Sequence, residues 1–290
     1  YATIGKQRPS KALPTYGVSP DSSAPRGRKN GTRYTFDDII GTHPDLLAAA
    51  KAARMAAASP SPILLFGDTG TGKELFAQSI HNHGPRSPRP YVAINCTAIP
   101  ENLLEGMLFG TAKGAFTGAA HKAGLLEKAD GGTLFLDEIN AMSPGLQAKL
   151  LRFLQERKVR RVGATREIDV DVKVISSTNV PPHSAIDAKA LRADLFYRLA
   201  VVYIHIPRLM DRKDDLQPLI SHFLQRNNAR LAKGVSGISM NVMDRFEKHS
   251  WPGNVRELAH VIEGAMNMMG SEKTLRIRHL RMPLLEKVIG

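Results

Sequence analysis

The stretch "GDTGTGKE" (Gly67, Asp68, Thr69, Gly70, Thr71, Gly72, Lys73, Glu74) brings together residues suited to holding phosphate. Its glycines let successive backbone N–H groups turn toward one point, and a helix opening behind them adds positive potential there. Lys73 can reach the β- and γ-phosphates of a nucleotide as a mobile point charge. The spacing is that of a phosphate-binding loop between a strand and a helix. That motif ordinarily ends in Ser or Thr, whose hydroxyl binds Mg²⁺, and here the position is Glu74. Either other groups handle the metal or nucleotide binding is weak.

A second group supplies acids. In "TLFLDE" (133–138) Asp137 follows a β-forming run and emerges at the C-terminal end of a strand. Ligands in parallel α/β sheets bind at that edge. Asp137 can hold Mg²⁺ directly or through water, and Glu138 can orient and polarise an attacking water. Alone, the pair reads as a solvated strand end; with a phosphate loop upstream, it reads as catalysis. Asn95 ends "YVAINC" (91–96) and either restrains Glu138 from the next strand or forms a turn. Thr178 and Asn179 end "VKVISSTN" (172–179) at the same edge, where they could sense a γ-phosphate.

These groups need a frame. "ILLF" (63–66), "YVAINC", "TLFLDE", "VKVISSTN" and "VVYIHI" (201–206) read as five short buried strands. Between them lie helical patterns, with Leu75, Phe76 and Ile80 on one face and "LQAKLLRFLQE" (146–156) strongly amphipathic; an alanine-rich helix over 45–58 precedes them. Buried strands alternating with helices predict a mainly parallel sheet covered on both faces. After Pro207 only helices are predicted: 214–232, beginning near Asp214 or Asp215 because Pro218 fits only a first turn; 239–251, with Ser239 as N-cap; and 254–269. The methionines there read as core filler. The expected organisation is a linker over 1–33, an α/β domain over 34–208, a helical domain over 209–285 and a tail over 286–290.

The net charge of +13 invites a nucleic-acid reading. Residues 1–33 carry seven Lys/Arg against Asp21, or +6, leaving +7 for the other 257 residues. Nearly half the excess therefore sits in a short segment rich in Pro, Gly and Ser, which reads as a basic linker. One cysteine, Cys96, excludes an internal disulfide. No apolar run is long enough for a membrane span, and no signal pattern follows Tyr1, so the chain reads as a piece of a longer cytoplasmic protein.

"GDTGTGKE", "GAFTGA" (114–119), "GGTLFLDEI", "LRADLFYRL" and "WPGNVREL" stand in the order seen in the AAA+ central domains of bacterial enhancer-binding proteins, which this chain resembles over residues 34–285. The family activates sigma-54 RNA polymerase. The resemblance implies a P-loop AAA+ α/β domain with a five-stranded sheet and an α-helical lid. It also implies Mg²⁺-dependent ATP hydrolysis and a homo-oligomeric ring, a hexamer in the family. Glu after the P-loop lysine is common there, which removes the difficulty of Glu74. Arg192 and Arg198 match arginine fingers that reach a neighbouring subunit's nucleotide; on residue type alone they are surface arginines of an amphipathic helix. Arg256 matches the lid's sensor arginine, and Asn95 the residue restraining the catalytic glutamate. Ile39, Ile40 and Gly41 match a segment beside the adenine. "RRVGATREIDVDVKV" (160–174) matches a second loop beside the first.

In "GTAKGAFTGAAH" (110–121) the glycines argue against a regular element. Phe116 either folds back on its own domain or is displayed. The resemblance implies that Gly114, Ala115, Phe116, Thr117, Gly118 and Ala119 engage sigma-54. Before that loop "EGMLFGTAK" departs from the family's "ESELFGHEK", with Gly106, Met107, Thr111 and Ala112 in place of polar or charged residues. This variant and "RYTFDDIIG" (33–41) are similar to arginine-catabolism regulators of the family. Two rivals stand beside this reading: an AAA+ machine with another protein client, and a non-hydrolysing nucleotide-binding regulator. The chain itself has no room after the lid for a DNA-recognition helix pair, so DNA contact is expected only through a domain absent from it.

Overall fold

The computed structural model describes residues 30–114 and 121–280. Helix α1 (Pro44–Ala57) is capped by His43, whose side chain accepts from Asp45 N, with Pro44 at the first helical position. Strand β1 (Ile63–Phe66) leads through the glycine loop into α2 (Lys73–His83), and β2 (Tyr91–Asn95) into α3 (Glu101–Phe109). A short antiparallel ladder, β3 (Gly110–Thr111) with β4 (Lys122–Ala123), precedes α4 (Leu125–Lys128), β5 (Thr133–Asp137) and α5 (Pro144–Glu156). A hairpin of β6 (Lys158–Arg160) and β7 (Glu167–Asp169) follows, then β8 (Lys173–Thr178), α6 (Pro182–Asp187), α7 (Ala193–Leu199) and β9 (Val202–His205). The chain then forms α8 (Leu216–Leu231), β10 (Gly237–Ile238), α9 (Met240–Lys248), α10 (Asn254–Met268) and β11 (Thr274–Leu275).

The main sheet runs β2-β5-β8-β1-β9, and every neighbouring pair in it is parallel. Adjacent residues of each central strand enter opposite cores, as the two-residue period of a strand demands. Leu64, Leu134, Leu136 and Val174 pack on one side with residues of α3, α5 and α7. Ile63, Leu65, Phe135 and Ile175 pack on the other with α1, α2 and Phe36. At the edge where β8 starts, the buried Lys173 donates to Ala56 O, Ala57 O and Ser59 O, tying the end of α1 to the sheet.

A third apolar cluster joins α8, α9 and α10 around Trp251, Phe246 and Leu258, with Trp251 Nε1 donating to Phe246 O at 2.8 Å. Pro218 is the third residue of α8, which follows a 3₁₀ turn over Lys213–Asp215. Met266 and Met269 fill this core, whereas Met240 and Met268 are exposed. Ser239 stands at the N-cap of α9 but makes no side-chain capping bond; its carbonyl accepts from Val242 N instead. The expected lack of regular structure over 110–121 needs correcting at its base, where Gly110 and Thr111 pair with Ala123 and Lys122. Antiparallel pairing fixes the two ends of the insertion side by side.

Leu134 is fully buried in β5, which lies between β2 and β8. Leu134→Ala is expected to cost about 2–5 kcal/mol, lowering the urea midpoint of the α/β unfolding transition. A shift of less than 0.5 kcal/mol, in the range of surface substitutions, would contradict this placement.

Candidate functional site

Parallel register brings the strand ends together. Phe66 lies opposite Thr178, and Asn95 opposite Asp137, so the glycine loop, both acids and the end of β8 share one edge. Gly70 and Gly72 take φ of +82° and +109°, which a side chain rarely adopts, and these turns aim the loop at the start of α2. The backbone N–H groups of Gly70, Gly72, Lys73 and Glu74 have no acceptor among the described residues. A helix N-terminus with such free donors fits an anion. Thr71 braces the loop through its hydroxyl on Asp68 O, at 2.8 Å.

Lys73 is 7% exposed. Its Nζ donates to Gly67 O at 2.7 Å and Asp68 O at 3.1 Å. Burial lowers its pKa, while the charges of Asp137 and Glu138 act in the opposite direction and that of Arg256 adds to the lowering. The Glu74 side chain turns back along α2 and accepts from Gln78 Nε2 at 3.0 Å, so it does not occupy the phosphate position.

Asp137 is held on both oxygens, by Ser177 Oγ on Oδ1 and Asn95 Nδ2 on Oδ2. The expectation that Asn95 restrains Glu138 therefore needs correcting in this structure, because the register sets Asn95 beside Asp137. The Asn95 side-chain Oδ1 accepts from Thr97 N at 2.9 Å and Ala98 N at 3.2 Å, which shapes the loop after β2. That loop presents Thr97 Oγ1 to Glu138 Oε2 at 2.6 Å, and Asn179 Nδ2 donates to Glu138 Oε1 at 3.2 Å. Glu138 has φ of +58°, a strained value for its type, and Ser177 Oγ receives its backbone N–H. Thr178 and Asn179 divide: the Thr178 hydroxyl has Asn140 Oδ1 and Val180 O as alternative acceptors, while Asn179 meets the glutamate. Thr97 and Ser177 carried no signal in the sequence, since short hydroxyl residues in loops and strands are common.

The donor set fits Mg²⁺ shared with a substrate. No group of three His, Cys, Asp or Glu able to hold a metal occurs among the described residues. Mg²⁺ binds through one or two carboxylates plus phosphate oxygens, which one firmly held aspartate beside a phosphate loop can provide.

The helical cluster is seated on the glycine loop. Asn254 Nδ2 donates to Thr69 O at 2.9 Å, and Arg256 N to Gly70 O at 3.3 Å. The segment between the two bodies is pinned as well. Ile39 packs against the sheet's core and Ile40 against the helical core. Gly41 has φ of +149° and lies where a Cβ would collide with the Asp215 carboxylate. That buried carboxylate accepts from Thr42 N and His43 N and pairs with Arg212 at 3.4 Å.

Arg192 and Arg198 are exposed on α7 and its start. Arg192 forks onto Asp194 at 3.0 and 2.8 Å, and Arg198 donates to Leu154 O at 3.1 Å. Among the described residues, no hydrogen bond or ion pair joins either arginine to the glycine loop, Asp137 or Glu138 of its own chain. Of the 114–119 stretch, Gly114 is described, at φ of +83°. Ala115, Phe116, Thr117, Gly118 and Ala119 lie outside the described residues. The second loop does lie beside the first: Ala112 N donates to Val162 O and Val162 N to Gly110 O, and Arg161 forks onto Glu127.

A sigma-54 interaction domain model matches residues 39–205, and an AAA+ ATPase lid domain model matches residues 210–288. The transcriptional activator RocR of Bacillus subtilis (strain 168) is 51% identical over 253 residues, covering 87% of this chain and 55% of RocR. The sigma54-dependent transcriptional regulator SfnR of Pseudomonas fluorescens (strain Pf0-1) is 43% identical over 267 residues, or 90% of this chain and 71% of SfnR. The crystal structure of NtrX from Brucella abortus in complex with ATP superposes with a TM-score of 0.80 at 32% identity, covering 86% of this chain and 55% of that one. The chain thus spans about half the length of RocR and of NtrX. No helix among the described residues is long and apolar enough to cross a membrane.

Cys96 follows Asn95 and is 3% exposed. Burial, with Asp137 and Glu138 nearby, pushes its thiol up to about 12. At pH 8 the folded chain should therefore hold roughly a thousandfold less thiolate than the unfolded chain. Reaction with a chromogenic disulfide reagent is expected to be correspondingly slow until denaturant is added. Equal rates in native and denaturing buffer would contradict the geometry around Asn95.

Proposed function

The chain belongs to the sigma-54 interaction AAA+ family, and from that premise we propose that it hydrolyses Mg-ATP to remodel a sigma-54 RNA polymerase complex. The observation that carries this reading is the register that sets the phosphate loop, Asp137 and Glu138 at one sheet edge, with no acceptor among the described residues for the N–H groups of Gly70, Gly72, Lys73 and Glu74. The free amides and Lys73 would bind the β- and γ-phosphates. Lys73 would exchange its carbonyl contacts for phosphate oxygens, which also balance a partly desolvated ammonium. Asp137, held by Asn95 and Ser177, would take Mg²⁺, which when bound supplies positive charge against the phosphates. Glu138, held by Thr97 and Asn179, would orient and polarise the attacking water. Asn179 at the strand edge, with Thr178 behind it, would connect the γ-phosphate to the glutamate.

Phosphoryl transfer is dominated by positioning and charge stabilisation. Arg192 and Arg198 would add charge from a neighbouring subunit, which their exposure, and the lack among the described residues of a bond from either to its own chain's site, support. Turnover then requires a homo-oligomer, for which a hexameric ring is the proposed form. Ile39, Ile40 and Gly41 would flank the base, and Arg256 would touch nucleotide from the lid.

The paired stems at 110–111 and 122–123, tied to the second loop, would carry nucleotide-dependent movement to residues 114–119, which would engage sigma-54. Two loop positions of different nucleotide affinity suffice for such coupling, and a client that prefers one position biases nucleotide binding in return.

The test is to trap the chain with ADP and a metal-fluoride transition-state mimic and measure association with purified sigma-54. Wild type should form a complex that Phe116→Ala loses by tenfold or more in affinity, on the order of 1.4 kcal/mol, with nucleotide binding retained. A Phe116→Ala complex as tight as wild type, with open-complex formation intact, would overturn the loop's assigned role.

A further inference from the structure

The contact between α10 and the phosphate loop runs through one side chain that no motif assignment uses. Asn254 is 2% exposed and bonds in two directions. Its Nδ2 donates to Thr69 O in the loop at 2.9 Å, and its Oδ1 accepts from Leu209 N, in the segment leading from the sheet to the helical cluster, at 2.8 Å. One amide thus joins three parts of the molecule: the nucleotide loop, the connecting segment and the first residue of α10.

The backbone around it is built for this contact. Trp251 and Asn254 both take positive φ, +48° and +50°, so the turn before α10 is tightly coiled. Glu257 fixes that turn from below, accepting from Gly253 N at 2.8 Å while its other oxygen lies 2.8 Å from His249 Nε2. The turn then closes on the loop without spare room: a Cβ on Gly70 would stand 2.1 Å from Gly253 O and 3.1 Å from the Arg256 Cβ. The amide bonds cross this close contact at its edge.

We propose that Asn254 is a positioning residue that sets the phosphate loop against the lid, so that nucleotide affinity and lid orientation depend on one another. The inference rests on reading the glycine loop as a nucleotide site. Thr69 O, held from behind, fixes the peptide plane between Thr69 and Gly70, and with it the direction of the Gly70 N–H. A loop that keeps its donors aimed binds phosphate without first ordering itself. Nucleotide binding in turn favours the lid orientation in which the amide bonds are made, as reciprocity requires.

Asparagine also tolerates left-handed backbone, a second role that conformation alone would explain. Glycine separates the two roles. Asn254→Gly keeps φ accessible and removes only the amide; Asn254→Asp keeps the acceptor for Leu209 N but faces a carboxylate toward Thr69 O. The measurement is the dissociation constant of a fluorescent ADP analogue with Mg²⁺ on the full chain. It is made well below the unfolding temperature, beside the nucleotide-induced rise in Tm and the KM and kcat for ATP.

Wild type should bind; both variants should bind about tenfold more weakly or worse, in the range of a 5–150-fold coupling. They should also show a smaller nucleotide-induced rise in Tm and a KM raised more than kcat is lowered. A merely structural role would lower the Tm of the nucleotide-free chain and leave affinity and KM unchanged. Wild-type affinity in Asn254→Gly would therefore overturn the proposal. Failure of wild type itself to bind nucleotide would overturn the parent reading instead.

Discussion

Lys73 carries its charge where little water reaches it, and much of the α/β body can be understood from what that requires. An ammonium in such a place costs desolvation energy and needs oxygen around it. Two carbonyls of its own loop supply it, and the negative charges of Asp137 and Glu138 favour the ammonium from further off. Bringing those acids opposite the loop demands that β5 end level with β1 although β8 lies between them. Parallel pairing in fixed register does this, and continuous apolar strands packed on both faces make the register hard to slip. The site's dimensions therefore follow from the sheet's core.

The acids are themselves constrained by a polar layer at the sheet edge. Each oxygen of Asp137 and Glu138 receives a side-chain donor: Ser177 and Asn95 on one residue, Thr97 and Asn179 on the other. Ser177 serves twice, since its oxygen also accepts the Glu138 N–H. This arrangement fixes both carboxylates, including the strained backbone at Glu138, without neutralising them. The second body then closes the loop's far side. Its helical core buries Trp251, and the turn beginning at that residue reaches the glycine loop, while Ile40 and the Asp215–Arg212 pair hold the connecting segment. Loop, acids and lid meet at one edge of the sheet.

Much of this was legible because it depends on long, regular patterns. The five main strands fall within one residue of their expected ends, and "GDTGTGKE" carries both its turn chemistry and its place between strand and helix. Less legible were features set by only two or three residues or by three-dimensional register. The ladders of Gly110–Thr111 and Gly237–Ile238 are too short for any period to show. Which of two consecutive acids Asn95 would meet depends on a one-residue offset between β2 and β5, and sequence does not contain that offset. The role of Thr97 needs a loop path, and that of Asn254 a backbone angle. The arginines are the opposite case: Arg192 and Arg198 stand where expected on the surface, and in a single chain they look like the ordinary charged residues their types suggest. Arg192 would have to leave Asp194 to act elsewhere.

On the proposed function, this site is incomplete in one chain and is finished by a neighbour. This is tested by the ATP turnover rate per chain, measured across a wide range of protein concentrations in excess Mg-ATP. A site completed in trans gives a rate that climbs steeply as subunits assemble and then levels off, and that Arg192→Ala holds near zero at every concentration while nucleotide still binds. A rate per chain that stays constant on dilution, to concentrations where sedimentation shows only monomer, would contradict it.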